Sequence, residues 1–246
     1  MTRPTCCPVC GQPLDPPGPG GPGPGRAAMA AGPSSDAGAG GSCPNRWCRR
    51  PGRAFSVMWT VGVYEGALRR AIWRYKYRGE RHLAGTFAGM LARFLVGHPA
   101  WFEEFQVITA VPSYTGPGAR RTWDPVATIL GELAERLARD GPLWSVEPGL
   151  VAKTRETPGM AGLGWSERQA VARGPLRRSL CATTGTRGSP DGAQVLLLDD
   201  VMTEGGTLHE VAGALRRAGA SDVAALVLAR PSWAAQPPAA GPPGGR

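Results

Sequence analysis

Apolar positions along the chain form two kinds of pattern, short continuous runs and longer amphipathic repeats. A short apolar run bounded by glycine and polar residues indicates a buried parallel strand, whereas apolar residues at i, i+3 and i+4 indicate a helix. The runs predict strands at 105–111, 149–152, 195–200 and 222–228, and an alternating segment predicts a further strand at 59–64. The repeats predict helices at 65–77, 83–96, 123–139 and 208–218. Because strands and helices alternate, the sequence predicts an α/β fold with a parallel sheet flanked by helices.

The strand predicted at 195–200 carries the most informative chemistry, because it ends in the adjacent carboxylates Asp199 and Asp200. The loop that follows consists of Thr203, Glu204, Gly205, Gly206 and Thr207. Thr207 is the predicted N-cap of the next helix. Free N–H groups in a glycine loop at a helix N-terminus bind anions, and neighbouring carboxylates suit the hydroxyls of a sugar. The pattern therefore indicates a sugar-phosphate site; the open alternative is a solvated acidic turn without a ligand.

Other candidate site residues follow two further predicted strands. They are Val111, Pro112, Ser113, Lys153, Arg155 and Arg168. Ligands of parallel α/β sheets bind at the carboxyl ends of the strands. We therefore expect these residues to converge with Asp199 and Asp200 on one crevice.

The helix predicted at 65–77 ends in a mixture of basic and aromatic residues, from Arg69 to Gly79. Such a mixture can bind single-stranded nucleic acid through phosphate contacts and base stacking. The alternative, which we favour, is that Trp73 and the tyrosines pack inward while the arginines face solvent.

Four cysteines near the N-terminus, Cys7, Cys10, Cys43 and Cys48, form two pairs with the spacing of zinc ligands. Cys6 is an alternative to Cys7, and free thiols are the alternative to a metal site. The tract at 16–41 between the pairs is rich in glycine, proline and alanine and lacks apolar periodicity, so it is predicted to be disordered.

The composition adds a strong positive charge, +9 over 246 residues. Nearly all of it is arginine, because Lys76 and Lys153 are the only lysines. A basic protein attracts polyanions, but the charge does not distinguish a phosphorylated sugar from a nucleic acid. No apolar run is long enough for a membrane span and no signal-peptide core is present, so we expect a cytoplasmic protein.

Taken in order, these features resemble the ComF-type proteins, a phosphoribosyltransferase-like family linked to DNA uptake in competent bacteria. The resemblance rests on the cysteine knuckle, the Lys76-Tyr77-Arg78-Gly79 helix end, Val111-Pro112, the loop starting at Lys153 and the Asp-Asp loop, and it covers Cys7 to about Arg230. It implies a type I phosphoribosyltransferase fold with a small zinc-ribbon-like segment. The chain departs from the family at Glu204, where a small residue is usual.

The resemblance divides the chain into a cysteine knuckle at 1–53, a phosphoribosyltransferase-like domain at 54–230 and a disordered tail at 231–246. It implies phosphoribosyl pyrophosphate (PRPP) or a ribonucleotide as ligand. Asp199 and Asp200 would bind ribose hydroxyls directly or through Mg²⁺, and the loop at 203–207 would bind the 5′-phosphate. The loop at 111–113 would contact pyrophosphate, together with Lys153, Arg155 and Arg168, the candidate catalytic residues.

Two functions remain open on this fold. One is an enzyme that transfers a phosphoribosyl group to an unidentified acceptor. The other is a catalytically weak or inactive module that senses nucleotides or binds single-stranded DNA or a DNA-uptake protein. Oligomeric state is also open. A dinucleotide-binding oxidoreductase is excluded, because no glycine fingerprint lies between an early strand and a helix.

Overall fold

The computed structural model describes residues 7, 9–10, 43, 45, 48, 52–139, 144–159, 162–183 and 189–231. The tract at 16–41 and the tail from 232 onward, both predicted to be disordered, lie outside these residues. Within the described residues the strands are β1 Met58–Val63, β2 Val107–Ala110, β3 Ser145–Val146, β4 Val151–Lys153, β5 Leu180–Ala182, β6 Gln194–Val201 and β7 Asp222–Arg230.

The helices of the described residues flank this framework. They are α1 Gly66–Arg78, α2 Leu83–Gly97, α3 Pro125–Leu137, α4 Trp165–Val171, the three-residue α5 Arg177–Ser179 and α6 Gly206–Arg217, with a 3₁₀ turn at Pro99–Trp101 and a π-helical turn at Ala172–Leu176. None of them is both long and apolar enough to cross a membrane.

A parallel sheet with the strand order β1-β7-β6-β2-β3 forms the centre of the described fold. Its inner strands are buried on both faces. Leu196 and Leu198 of β6 pack with α2 and α3 on one face, whereas Val195 and Leu197 pack with α6 on the other. Such burial explains why the inner strands are continuous apolar runs in the sequence. The structure thus confirms the predicted parallel sheet flanked by helices.

The strand predicted at 149–152 does not join this sheet. The edge position beside β2 is taken by β3, where Val107 and Ile108 pair with Ser145 and Val146. β4 instead pairs with β5 in a separate antiparallel two-stranded sheet. The expectation that Lys153 follows a strand of the parallel sheet is therefore wrong.

Two local expectations also need correction. Helix α6 begins at Gly206 rather than after Thr207, because Gly205 adopts a left-handed conformation (φ 94°) and serves as its N-cap. On α1, Tyr75 is buried as expected, but Trp73 and Tyr77 are 45% and 57% exposed. These two rings therefore lie on the surface and do not pack inward.

The cysteine segment packs on the α6 side of the sheet. Cys7, Cys10 and Cys43 share an apolar cluster with Phe55 and Met58. The Met58 N–H donates to the Val9 carbonyl at 2.8 Å, which joins the segment to the beginning of β1.

Candidate functional site

The loop after β6 lies at the carboxyl end of a central strand, between β7 and β2. The loop is held to β7 by the Met202 N–H, which donates to the Ala229 carbonyl at 3.1 Å. The left-handed Gly205 then turns the chain directly into α6. A side chain at this position would be strained, because a positive φ of this size favours glycine. The arrangement directs the N-terminus of α6 toward the end of β6, as an anion site requires.

The two carboxylates at the end of β6 have different partners. Asp199 Oδ1 accepts the Asp200 N–H at 2.8 Å, and burial together with the neighbouring Asp200 raises the pKa of Asp199 well above its ordinary value. Asp200 Oδ1 accepts the Val201 N–H at 2.7 Å. Each of the two carboxylates is therefore held by the backbone N–H of the residue that follows it.

Lys76, at the end of α1, is the cation that the sequence interpretation missed as a site residue. Its Nζ lies 3.0 Å from Asp200 Oδ1 and 2.8 Å from Asp200 Oδ2. Burial lowers the pKa of Lys76, but Asp200 more than offsets this effect, so the pKa is raised. Two signals were available, since Lys76 is one of two lysines in a chain rich in arginine and belongs to the Lys76-Tyr77-Arg78-Gly79 helix end that carries the family resemblance.

A small pocket adjoins the loop, and the structure brings Arg168 to it. The pocket is lined by Asp199, by residues 201–208 and by Arg168 and Gln169 of α4. Arg168 Nη1 lies 3.2 Å from Glu204 Oε1, so the two charges pair across the pocket. Arg168 thus stands at the proposed phosphate end of the site, and Glu204 is paired and only partly exposed. Gln169 is a second pocket residue that the sequence interpretation missed.

The loop at 111–113 begins at the same edge of the sheet, because the Val111 N–H donates to the Leu198 carbonyl of β6 at 2.8 Å. The Ser113 N–H, a candidate pyrophosphate contact, donates to Asp124 Oδ2 at 2.6 Å. Asp124 Oδ1 also caps α3 by accepting the N–H groups of Val126 and Ala127 at 3.0 Å. The Asp124 carboxylate that caps α3 therefore already accepts the hydrogen bond of the Ser113 N–H in this structure.

Lys153 is the last residue of β4 and Arg155 lies in the loop after it, and neither residue lines the pocket at Arg168. Lys153 Nζ is 3.8 Å from Glu156 Oε1, while Glu156 Oε2 accepts the Arg120 N–H at 3.0 Å. Burial lowers the pKa of Lys153. Arg155 is exposed. Glu156 thus joins the loop after β4 to the loop that follows β2.

The four N-terminal cysteines converge in the structure. All four Sγ atoms lie within 4.8 Å of one another, and Cys10 Sγ is 3.8 Å from Cys43 Sγ. Two thiolates on one tetrahedral zinc are about 3.8 Å apart, given Zn–S bonds of about 2.3 Å. Hydrogen bonds from Cys43 and Cys48 lower the pKa of Cys10, which favours its thiolate. Geometry and donor set therefore fit a structural zinc ion.

Residues 129–242 match the family model of the phosphoribosyl transferase domain. The matched region begins in α3 and includes β6, the loop at 203–207, α6 and β7. The parallel sheet, its helices and this match define a phosphoribosyltransferase-type fold. No curated protein gives a significant sequence match.

Similar solved structures include phosphoribosylpyrophosphate synthetase from Mycobacterium smegmatis, at 18% identity and a TM-score of 0.33, with 56% of this chain and 33% of that chain covered. Hypoxanthine phosphoribosyltransferase from Staphylococcus aureus is similar at 11% identity and a TM-score of 0.36, covering 61% and 64%. The Trypanosoma cruzi enzyme is similar at 14% identity and a TM-score of 0.33, covering 65% and 69%. This chain thus spans a third of the synthetase and under two thirds of the staphylococcal enzyme.

Proposed function

We propose that this protein is a ComF-like type I phosphoribosyltransferase that binds PRPP or a nucleoside monophosphate and transfers a phosphoribosyl group to an acceptor. The observation that supports this proposal is the placement of Asp199 and Asp200 beside a glycine loop and a helix N-terminus at the end of β6. A phosphate and a ribose are the two halves of one ligand that such a site accommodates. A role in DNA uptake belongs to the same proposal and rests on the family resemblance.

Each group has a distinct task in the proposed reaction. The N–H groups of the loop at 203–207 hold the 5′-phosphate, and Asp200 orients the ribose hydroxyls. Loss of pyrophosphate leaves positive charge on the anomeric carbon, as in glycosyl transfer generally, and nearby carboxylates stabilise this charge. Bound Mg²⁺ would neutralise the pyrophosphate, with the carboxylates at Asp199 and Asp200 as its ligands from this chain.

Calorimetric titration tests the proposal directly. We expect PRPP to bind in the presence of Mg²⁺ and more weakly without it. Asp200→Asn should weaken PRPP binding by about 1–3 kcal/mol, the usual loss for a charged hydrogen-bond partner. Asp191→Asn is a control matched in charge, because Asp191 is exposed and precedes β6, at the strand's other end. Absence of PRPP and nucleoside monophosphate binding at millimolar ligand contradicts the proposal.

A second candidate function, binding of single-stranded DNA, is favoured by the surface of α1. Trp73 and Tyr77 are exposed, and their ring centroids are 6.1 Å apart. The guanidinium of Arg78 lies 5.3 Å from the centroid of Trp73, and that of Arg121 lies 5.1 Å from the centroid of Tyr77. Exposed rings beside guanidinium groups provide base stacking and phosphate contacts together.

Fluorescence anisotropy with a labelled oligothymidine tests this candidate. Trp73→Ala should weaken binding by about 1–3 kcal/mol, the usual value for one base stacked on an aromatic ring. Arg93→Ala removes an exposed cation from α2 and should have a smaller effect. Equal losses in the two variants indicate non-specific attraction to a basic surface and argue against the stacking site.

We also propose that Cys7, Cys10, Cys43 and Cys48 bind a structural zinc ion. The mutual proximity of the four sulfur atoms supports this proposal. Zinc would cross-link the N-terminal segment beside β1, since the Met58 N–H and the Val9 carbonyl already connect the two.

A further inference from the structure

The pocket between α4 and the loop before α6 contains polar atoms that lack partners. Among the residues that the structure describes, Arg168 Nε, Gln169 Oε1 and Glu204 Oε2 are buried without a hydrogen-bond partner. All three residues line this pocket, and Gln169 is only 7% exposed. Buried polar groups in folded proteins are normally satisfied. One unpartnered donor, Arg168 Nε, and two unpartnered acceptors on three residues that line one pocket therefore indicate a polar ligand.

The ion pair across the pocket is incomplete. An arginine and a carboxylate can form two parallel hydrogen bonds, but Arg168 and Glu204 make a single contact of 3.2 Å. Both side chains are about a quarter exposed, at 26% and 21%. A single contact between two partly exposed side chains is easier to exchange than the two contacts that Lys76 Nζ makes with the nearly buried carboxylate of Asp200.

Glu204 lies in the loop directly before α6, at the position where this loop would bind an anion. The loop at 203–207 leads into the N-terminus of α6. The first N–H groups of a helix have no partner within the helix and favour an anion. Arg168 is a cation at the same pocket and is already paired with an anion, the carboxylate of Glu204. An incoming phosphate has the charge and the acceptor oxygens to take the place of this carboxylate.

We propose that Glu204 is the affinity-determining residue of this pocket, and that the 5′-phosphate of a ribose phosphate displaces its carboxylate from Arg168. The inference rests on the proposed function and identifies the phosphate end of that ligand as the part that this pocket recognises. Arg168 then binds the phosphate together with the N–H groups of the loop. Gln169 contributes through its amide NH2 group, because a phosphate oxygen accepts hydrogen bonds and cannot satisfy the amide oxygen.

Competition for Arg168 differs from simple repulsion by Glu204 in one measurable way. If the two anions compete for the guanidinium, removal of the Glu204 charge helps binding only while Arg168 is present. If Glu204 merely repels phosphate, its removal helps equally without Arg168. A double-mutant cycle separates the two cases.

The probe is ribose 5-phosphate, titrated calorimetrically into the wild-type chain and three variants. Glu204→Gln should tighten binding about tenfold or more, and Arg168→Gln should weaken it by a similar factor, the usual effect of a charged hydrogen bond. In the Arg168→Gln background, the gain from Glu204→Gln should fall below about threefold. Asp191→Asn controls for net charge, and unfolding midpoints confirm that each variant folds. Arg168→Met, which also removes the guanidinium charge, replaces Arg168→Gln if the latter unfolds.

The remaining outcomes overturn the proposal. An undiminished gain in the double variant means repulsion without competition. Unchanged or weaker binding by Glu204→Gln means that Glu204 does not oppose the phosphate. Ribose binding as tightly as ribose 5-phosphate means that the pocket does not recognise phosphate. If wild type and variants fail to bind ribose 5-phosphate, PRPP and nucleoside monophosphates alike, the proposed function fails, and this inference falls with it.

Discussion

Replacement of Lys76 by methionine tests whether a buried ion pair holds α1 against the carboxylates of the site. Methionine keeps the length and apolar surface of the stem but removes the ammonium group. Asp200 would lose both of its Lys76 contacts, at 2.8 and 3.0 Å, while its side chain is only 5% exposed. Its charge would then be stabilised mainly by the Val201 N–H.

The expected loss of stability follows from this geometry. Removing one partner of a buried ion pair costs about 3–5 kcal/mol, because the other charge remains buried. The Lys76 side chain is 21% exposed, so we expect the lower end of this range, about 3 kcal/mol. Because the pKa of Lys76 is raised, the cation's contribution is fully present below the ordinary lysine pKa of about 10.4 and is lost only as pH rises through the folded-state pKa. The loss should therefore be equal at about pH 6 and pH 9.

Chemical denaturation measures this loss, and two further variants test its cause. Arg74→Met on the same helix breaks a more exposed pair, with Glu80, and should cost less than about 1 kcal/mol. Adding Asp200→Asn to Lys76→Met should restore part of the stability, since the unpaired buried charge is gone. The reasoning is refuted if Lys76→Met costs no more than Arg74→Met, or if the second substitution restores nothing.

Three further predictions concern the metal, the carboxylates and the loop after β4. Elemental analysis of the purified protein should find about one zinc per chain, and the Cys10→Ser variant should lose this zinc. A metal-free native chain with four titratable thiols would contradict the prediction. Because burial and Asp200 raise the pKa of Asp199, its carboxyl stabilises the fold below the ordinary carboxyl pKa and loses this contribution as pH rises through the folded-state value. Asp199→Asn should therefore raise the unfolding midpoint at about pH 8 and have little effect near pH 4, and an equal effect at both would contradict this. Hydrogen exchange across 153–168 should slow when PRPP and Mg²⁺ bind, whereas unchanged exchange at saturation argues against loop closure.

Sequence reasoning succeeds for the elements whose burial is complete. The strands β6 and β7 are covered on both faces, so their apolar runs are unbroken and their positions can be predicted closely. The two-residue β3 carries no comparable pattern. The segment of α4 and the π-helical turn is rich in arginine and interrupted by Gly174 and Pro175, so it lacks a clear helical repeat.

The orientation of α1 could have been predicted from its period. Ile72 and Tyr75 are three residues apart and share the buried face, which places Trp73 and Tyr77, four residues apart, on the other side. The N-terminus of α6 depends instead on one backbone conformation, the positive φ of Gly205. It could not be predicted, because glycine permits several backbone conformations and the sequence does not specify which one is adopted.

The contents of the site were only partly predictable. The Asp-Asp loop is a local motif, and its carboxylates, glycines and helix follow one another in the sequence. The cations that contact this motif are not close to it in the sequence. Lys76 and Asp200 are 124 positions apart, and Arg168 and Glu204 are 36 positions apart. No local pattern joins these pairs, so only the fold shows which cation meets which carboxylate.

If the proposed function holds, the two ion pairs indicate where binding affinity is adjusted in this site. Lys76 makes two contacts to a nearly buried carboxylate, whereas Arg168 makes one contact to a partly exposed carboxylate. Disrupting the first pair would leave a buried charge without a partner, so the proposed ribose end of the site has a high cost of rearrangement. Exchanging the second pair replaces one anion with another on the same guanidinium, so the proposed phosphate end can change at low cost. On this proposal, a ligand gains its orientation from a rigid ribose end, while Glu204 sets how tightly its phosphate is held.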